Sequence, residues 1–407
     1  MTPPKPRGSI LVFLALVVFL DAMGVGLVIP VMPSLLSELT ALPNANAAQI
    51  SGYLVFTYAA MQFFAGPLLG GLSDQFGRRP ILLLALLGFA IDYFIMALAP
   101  SLIFLFVARF MSGILGATYT AANAALVDCT NAENRARSFG IMGAASGIGL
   151  LAGPILGGYL AEYSARLPFL AAGLISLATC VYGYFALPET LALENRRRFS
   201  LARANPLGSL LAISRTSDGK TLVLPILATM FFIYLANQSY IVIWSFFTIE
   251  VVGWSPREIA NSVAFYGVML AVMQGGLTGV VVKHLGEVRA VYLSQAVGII
   301  TFIALGFSRS GLAIYLMILM GSLGVFALPA LQALMTKSIP ENAQGELQGA
   351  NSSIFSVSSI IGPILMTQIF ALYSDDNGVY FPGSAFIVSA SLIGAAMLTF
   401  FLSQRHK

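Results

Sequence analysis

The chain has 407 residues, of which 58% are hydrophobic and only 9% charged, with a formal net charge of +4. A soluble domain carries roughly 25% charged residues, so this composition excludes a water-soluble globular protein. The basic residues are scattered over short polar segments, which excludes a nucleic-acid-binding patch, and two cysteines without a CxxC spacing, Cys129 and Cys180, exclude a disulfide framework or a cysteine metal cluster.

Lys5 and Arg7 precede an apolar run, the layout of a signal peptide. The run continues to Pro30 without a small-residue cleavage site and carries Asp21 in its middle. We read it as a first transmembrane helix with a cytoplasmic N-terminus. Apolar lengths of about 20 residues each cross a bilayer core. They predict twelve spans, at about 9–32, 50–71, 81–99, 102–126, 138–161, 168–188, 221–247, 258–281, 289–308, 311–336, 347–372 and 379–403.

Loop charges orient these spans. Of 21 lysines and arginines, Arg166, Arg257 and Arg309 fall in outside loops and Arg109 inside a span, leaving 17 on the inside. That bias places both termini in the cytoplasm. The one long polar linker, Glu189 to Lys220, contains Arg196-Arg197-Arg198 and Pro206 and reads as a solvated loop near anionic headgroups. It separates a six-helix bundle over 1–190 from another over 221–407, with a cytoplasmic linker at 191–220.

The two halves repeat. Gly70 and Gly77 match Gly279 and Gly286, Gly140 matches Gly349, and Gly153-Pro154 matches Gly362-Pro363, all at an offset of 209 residues. Two six-span halves with the same orientation should be related by an axis along the membrane normal, an architecture suited to alternating access. The fold class is therefore an all-α membrane protein of twelve transmembrane helices in two pseudo-symmetric six-helix bundles.

The stretch Gly70-Gly71-Leu72-Ser73-Asp74-Gln75-Phe76-Gly77-Arg78-Arg79-Pro80 reads as a tight charged turn on the inside face. We expect it to act as a latch, with Asp74 pairing to a basic group or helix N-terminus when the cytoplasmic side is closed. The bland alternative is a static turn. In the second copy the charges invert: Lys283 stands where Asp74 does, and Glu287 where Arg78 does.

Charged groups inside spans cost about 2.5–3.5 kcal/mol each at the helix centre, so they mark function or a specific pair. Asp21 lies roughly 18 Å into the first span, Asp92 at a similar depth in the third, and Arg109 in the outer half of the fourth. Asp21 or Asp92 would serve as a proton site and Arg109 as counter-charge or substrate contact. The alternatives are an ion pair between neighbouring spans, or an aspartate bonded to backbone unwound near Gly24 and Gly26. The amides Gln62, Asn123, Asn237, Gln238, Gln274, Gln295 and Gln332 suit helix-to-helix hydrogen bonds, with Gln62, Gln238 and Gln274 the candidates for a proton or substrate pathway. In the fifth span, Gly140, Gly149, Gly153-Pro154 and Gly157-Gly158 favour close packing and a kink, which serves either static packing or a rocking interface. No span holds a histidine, since His284 and His406 lie in polar segments, and no nucleophile sits beside a base, so an enzyme is not expected.

These motifs resemble the major facilitator superfamily over essentially the whole chain. Gly70, Asp74, Gly77, Arg78 and Arg79 look like its loop between the second and third spans, with Gln75 in place of a customary arginine. The series from Gly140 to Gly158 resembles the fifth-span motif of its drug–proton antiporters, and Arg109 with Gly113 and Gly116 their fourth-span motif. Asp21 through Pro30 and Pro33, Asp92-Tyr93, and Leu328-Pro329-Ala330-Leu331-Gln332 with Gly345 and Gly349 are most similar to tetracycline efflux pumps. Those pumps usually carry an eighth-span histidine and a ninth-span aspartate, where this chain has Leu270 and Gly298. The resemblance implies export of a drug in exchange for protons, with Asp21, Asp92 and Arg109 as embedded functional positions. It implies no resident cofactor: protons are the coupling ion, and a divalent metal enters only if the substrate carries it chelated. The expected partners are the lipid bilayer, a small-molecule drug and protons, with the protein a monomer in a bacterial inner membrane. The alternative is an importer or facilitator of an endogenous metabolite, which the absence of deep second-half carboxylates would suit.

Overall fold

The computed structural model describes residues 8–116, 118–199, 208, 210–211, 223–339, 344–375 and 378–405. Among them the chain is helical with no strand, and twelve helices are long and apolar enough to cross a membrane. The expectations at Lys5, Arg7, Arg203, Pro206, Arg215, Lys220, His406 and Lys407 lie outside the described residues.

The first six spans are Ile10–Thr40, Asn44–Phe76, Arg78–Leu98, Leu102–Cys129, Arg137–Ala161 and Leu167–Ala186. The second six are Leu224–Val242, Pro256–Leu285, Glu287–Phe307, Gly311–Thr336, Gln344–Leu372 and Ser384–Gln404. Several helices outrun their predicted ends, the first and second among them. The first continues to Thr40 through Pro30 and Pro33, because a membrane helix packed against neighbours tolerates the bonds that proline removes. The second begins at Asn44, whose amide donates to the Phe246 carbonyl at 2.9 Å and to Glu250 at 2.8 Å. Its Gln49 donates to Gln368 at 2.9 Å, so polar residues that look like loop are satisfied within a helix. The seventh span is interrupted at Ile243, beyond which Trp244–Val252 forms a further helix.

The sequence from Gly70 to Pro80 is not a loop. The second span stays helical to Phe76 and the third starts at Arg78, so Gly70 and Gly71 are helical and the turn is Gly77 alone. Its φ of 104° is open to glycine and strained for any L side chain. Gly286, at the equivalent place between the eighth and ninth spans, has φ 76°. The halves share a second irregularity. The fourth span is divided at Gly116, between Leu102–Leu115 and Thr118–Cys129, and the tenth between Gly311–Ser322 and Ala327–Thr336. Pro154 and Pro363, by contrast, sit inside uninterrupted helices.

By contacts the chain forms two compact units. The first comprises Met1–Leu42, Thr57–Pro206 and Ser255–Ala264; the second comprises Pro43–Phe56, Leu207–Trp254 and Phe265–Lys407. Within the first, the glycines of the fifth span bring it against the backbone of the first. A Cβ on Gly149 would strike the carbonyl of Phe19, one on Gly153 the carbonyl of Met23, and one on Gly157 would lie 2.8 Å from the carbonyl of Leu27. From the other side, a Cβ on Gly26 would lie 2.7 Å from the Pro154 ring. Small residues thus replace side-chain interdigitation by backbone contact, the membrane route to tight packing. Within the second unit, Phe246, Phe247, Phe370, Phe386 and Phe400 are fully buried and carry the core.

Candidate functional site

Four spans of the first unit converge on one buried charged cluster. Asp92 is 1% exposed and Arg109 9%, and Arg109 Nη2 donates to Asp92 Oδ2 at 2.5 Å. The same nitrogen lies 2.8 Å from the Met96 sulfur, and the guanidinium stands 5.7 Å from the centre of the Tyr58 ring. This contact adds a cation–π attraction of about 0.5–2 kcal/mol. Of the sequence alternatives for Asp92 and Arg109, the pair between neighbouring spans is thus realised. It is incompletely satisfied, because Asp92 Oδ1 and Arg109 Nε are buried without a hydrogen-bond partner among the described residues.

Asp21 enters from the first span, on a continuous helix, so the reading in which it bonds backbone unwound near Gly24 and Gly26 does not hold. It is partly exposed, makes no hydrogen bond to a described residue, and lies within electrostatic reach of Tyr58 and Tyr93. A Cβ on Gly24 would run into the Tyr93 hydroxyl, so that glycine admits the third-span tyrosine next to Asp21. Chemically, the cluster offers one guanidinium, two carboxyls of unequal engagement and two phenols in a setting of low water content.

Gln62 belongs to the scaffold of this site. Its amide donates to the Tyr58 hydroxyl at 3.1 Å and to the Gly116 carbonyl at 3.2 Å, at the point where the fourth span is divided. Gly113 lets that span approach the second, with only 2.6 Å between its Cβ position and the Tyr58 carbonyl. Gln238 is buried in the second unit and donates to Ser359 at 3.2 Å, with Gly362 against its stem, so it ties the seventh span to the eleventh. Gln274 lies in a π-helical turn, Met273–Leu277, and lines a cavity of the second unit together with Leu270 and Gly298.

The proposed latch residues make local bonds. Arg78 Nη1 donates to Asp74 at 2.5 Å and to Ser73 at 2.6 Å, and Arg78 Nε to Asp128 at 3.2 Å. Arg79 donates to the Tyr184 carbonyl at 2.6 Å. In the second copy Glu287 pairs with Lys337, and among the described residues it makes no ion pair with Lys283. Sequence reasoning missed Glu189. Its carboxylate accepts from the backbone N–H of Arg78 at 2.9 Å and Arg79 at 3.3 Å, capping the third span from a point 110 residues further along. It also pairs with Arg196 at 3.8 Å, while Arg197 N–H donates to the Asp74 carbonyl at 3.1 Å. Phe199 N–H donates to Gln75 at 2.9 Å. The start of the linker is therefore docked on this turn rather than solvated. Nothing in local spacing signals it, because the partners are helix-end backbone groups far away in sequence. In the fifth span Gly149, Gly153 and Gly157 are packing positions, a Cβ on Gly158 would lie 2.5 Å from the Pro256 carbonyl, and Gly140 faces open space.

A family model described as the Major Facilitator Superfamily matches residues 14–363. The tetracycline resistance protein, class C, of Escherichia coli is 38% identical over 389 residues, covering 95% of each chain. The class G tetracycline resistance protein of Vibrio anguillarum is 37% identical over 387 residues, again covering 95% of each. A solved structure of a bacterial homolog to the human lysosomal transporter Spinster, inward-facing and unoccupied, superposes with a TM-score of 0.80 at 16% identity, covering 99% of this chain and 98% of that one.

Proposed function

The chain belongs to the Major Facilitator Superfamily, and from that premise we propose a secondary transporter that exports a small organic drug, of the tetracycline or multidrug type, in exchange for protons by alternating access. The observation that carries the reading is the cluster on the first four spans, where a buried Asp92–Arg109 pair stands beside Asp21, whose carboxyl makes no hydrogen bond or ion pair among the described residues. A structural carboxylate in a membrane would be tied to a partner. We therefore assign the exchangeable proton to Asp21 and the role of fixed counter-charge to Asp92 and Arg109. Near-full-length likeness to tetracycline resistance proteins supports the cargo class. Both termini are assigned to the cytoplasm of a bacterial inner membrane, and the working form to a monomer.

The test is tetracycline accumulation in cells with and without the protein, with and without an uncoupler, and with Asp21→Asn. Export lowers accumulation in the wild type, and the uncoupler and Asp21→Asn each restore it. Equal accumulation in every case removes the reading. The second reading, a metabolite importer or facilitator, is favoured by Leu270 and Gly298, which leave the second-unit cavity uncharged. Proton movement in proteoliposomes on adding tetracycline separates the two, since only the antiporter couples them.

A further inference from the structure

We propose that the cavity inside the second unit is a subsite for an uncharged, ring-bearing part of the cargo; the proposal rests on the export reading above. The cavity measures 240 Å³ and is lined from the seventh, eighth, ninth, tenth and twelfth spans, with no charged side chain in its wall. Three rings shape it. Tyr240 stacks on Tyr266 with centroids 5.7 Å apart at 19° and lies 5.1 Å from Phe302. Two buried polar groups face it without a hydrogen-bond partner among the described residues: Gln295, 2% exposed, with both amide atoms unbonded, and the Thr301 hydroxyl, 1% exposed.

A buried amide left unbonded costs about 1–3 kcal/mol, so a purely structural site would not keep one there. The repeat explains how the space arose. At the offset of 209 residues Thr301 answers to Asp92 and Phe302 to Tyr93. The position that holds a buried ion pair in the first unit holds neutral donors and acceptors around a cavity in the second. A charged ligand group would be desolvated there with no counter-charge, whereas a neutral group with its own donor and acceptor would complete Gln295 and Thr301. The volume suffices, since cavities of about 150 Å³ already accept benzene. Exposed Gln274 lines the same cavity and supplies a polar mouth.

The probe is benzamide, a neutral ring with one amide, with benzoate as its anionic counterpart, titrated into the purified full-length protein. Gln295→Met keeps volume and breaks no hydrogen bond among the described residues. Gly298→Leu fills the cavity from a position whose nearest Cβ neighbour, Ile393, is 3.8 Å away. We expect benzamide to bind the wild type, at least tenfold weaker binding to each variant with unfolding temperature retained, and no binding of benzoate. Absence of benzamide binding, or equal binding to the wild type and Gln295→Met, overturns the proposal and leaves the polar wall to water. Tetracycline accumulation run in parallel separates the two readings. Wild-type cells that export nothing remove the export reading, and with it the assignment of the cavity to a cargo. Wild-type export that Gly298→Leu leaves unchanged removes the subsite while export stands.

Discussion

Cutting the ion pair of the first unit from either side, and then from both, asks whether it merely holds the third and fourth spans together. Arg109→Ile leaves Asp92 buried without its one ion-pair partner among the described residues; Asp92→Thr leaves Arg109 so. Removing one member of a buried pair costs about 3–5 kcal/mol. The double variant Asp92→Thr/Arg109→Ile carries the residues that the second half has at the equivalent positions, Thr301 and Ile318. With no orphaned charge it should recover at least half of the loss, since replacing both members of a buried pair is often near neutral. Stability is read from thermal unfolding of purified protein, and function from tetracycline accumulation in cells. If the pair is part of the proton machinery, the double variant is stable and does not export. Export restored together with stability would refute the functional reasoning and make the pair a fastener; a double variant no more stable than the singles would refute the electrostatic argument.

Gly153→Val should abolish folded protein in the membrane, because its Cβ meets the Met23 carbonyl, whereas Gly140→Ala should leave expression and export unchanged; folded protein is read by detergent extraction and immunoblot, and export by tetracycline accumulation. Glu189→Ala should lower stability by about 1–2 kcal/mol in thermal unfolding through loss of the cap on the third span. Asp74→Asn should reduce tetracycline export while expression holds, since Arg78 keeps its bond to Asp128; wild-type export by that variant would make the turn a passive connection.

Hydrophobic length made all twelve spans legible, because a bilayer demands about 20 apolar residues per crossing whatever the tertiary packing. It misjudged ends where polar side chains are satisfied at long range, as Asn44 is by Glu250. It also read Gly70 and Gly71 as a turn, although glycine in a helix packed by neighbours need not break it. Asp21, Asp92 and Arg109 were visible as costly charges, but which two of the three pair depends on how helices face one another. The divided fourth and tenth spans, the cap at Glu189 and the unbonded Thr301 were invisible for the same reason. Each is defined by a partner on another helix rather than by a pattern along its own.

The single-residue connection at Gly77 has a mechanical consequence. Loops normally absorb extra residues at little cost, since closure entropy grows slowly with length. Here one glycine joins two spans, and Glu189 grips the backbone N–H groups on its far side. The hairpin has no slack to take up, so a tilt of the second span is handed to the third undamped, and with it to Asp92. A lengthened connection would uncouple that motion while leaving both helices intact.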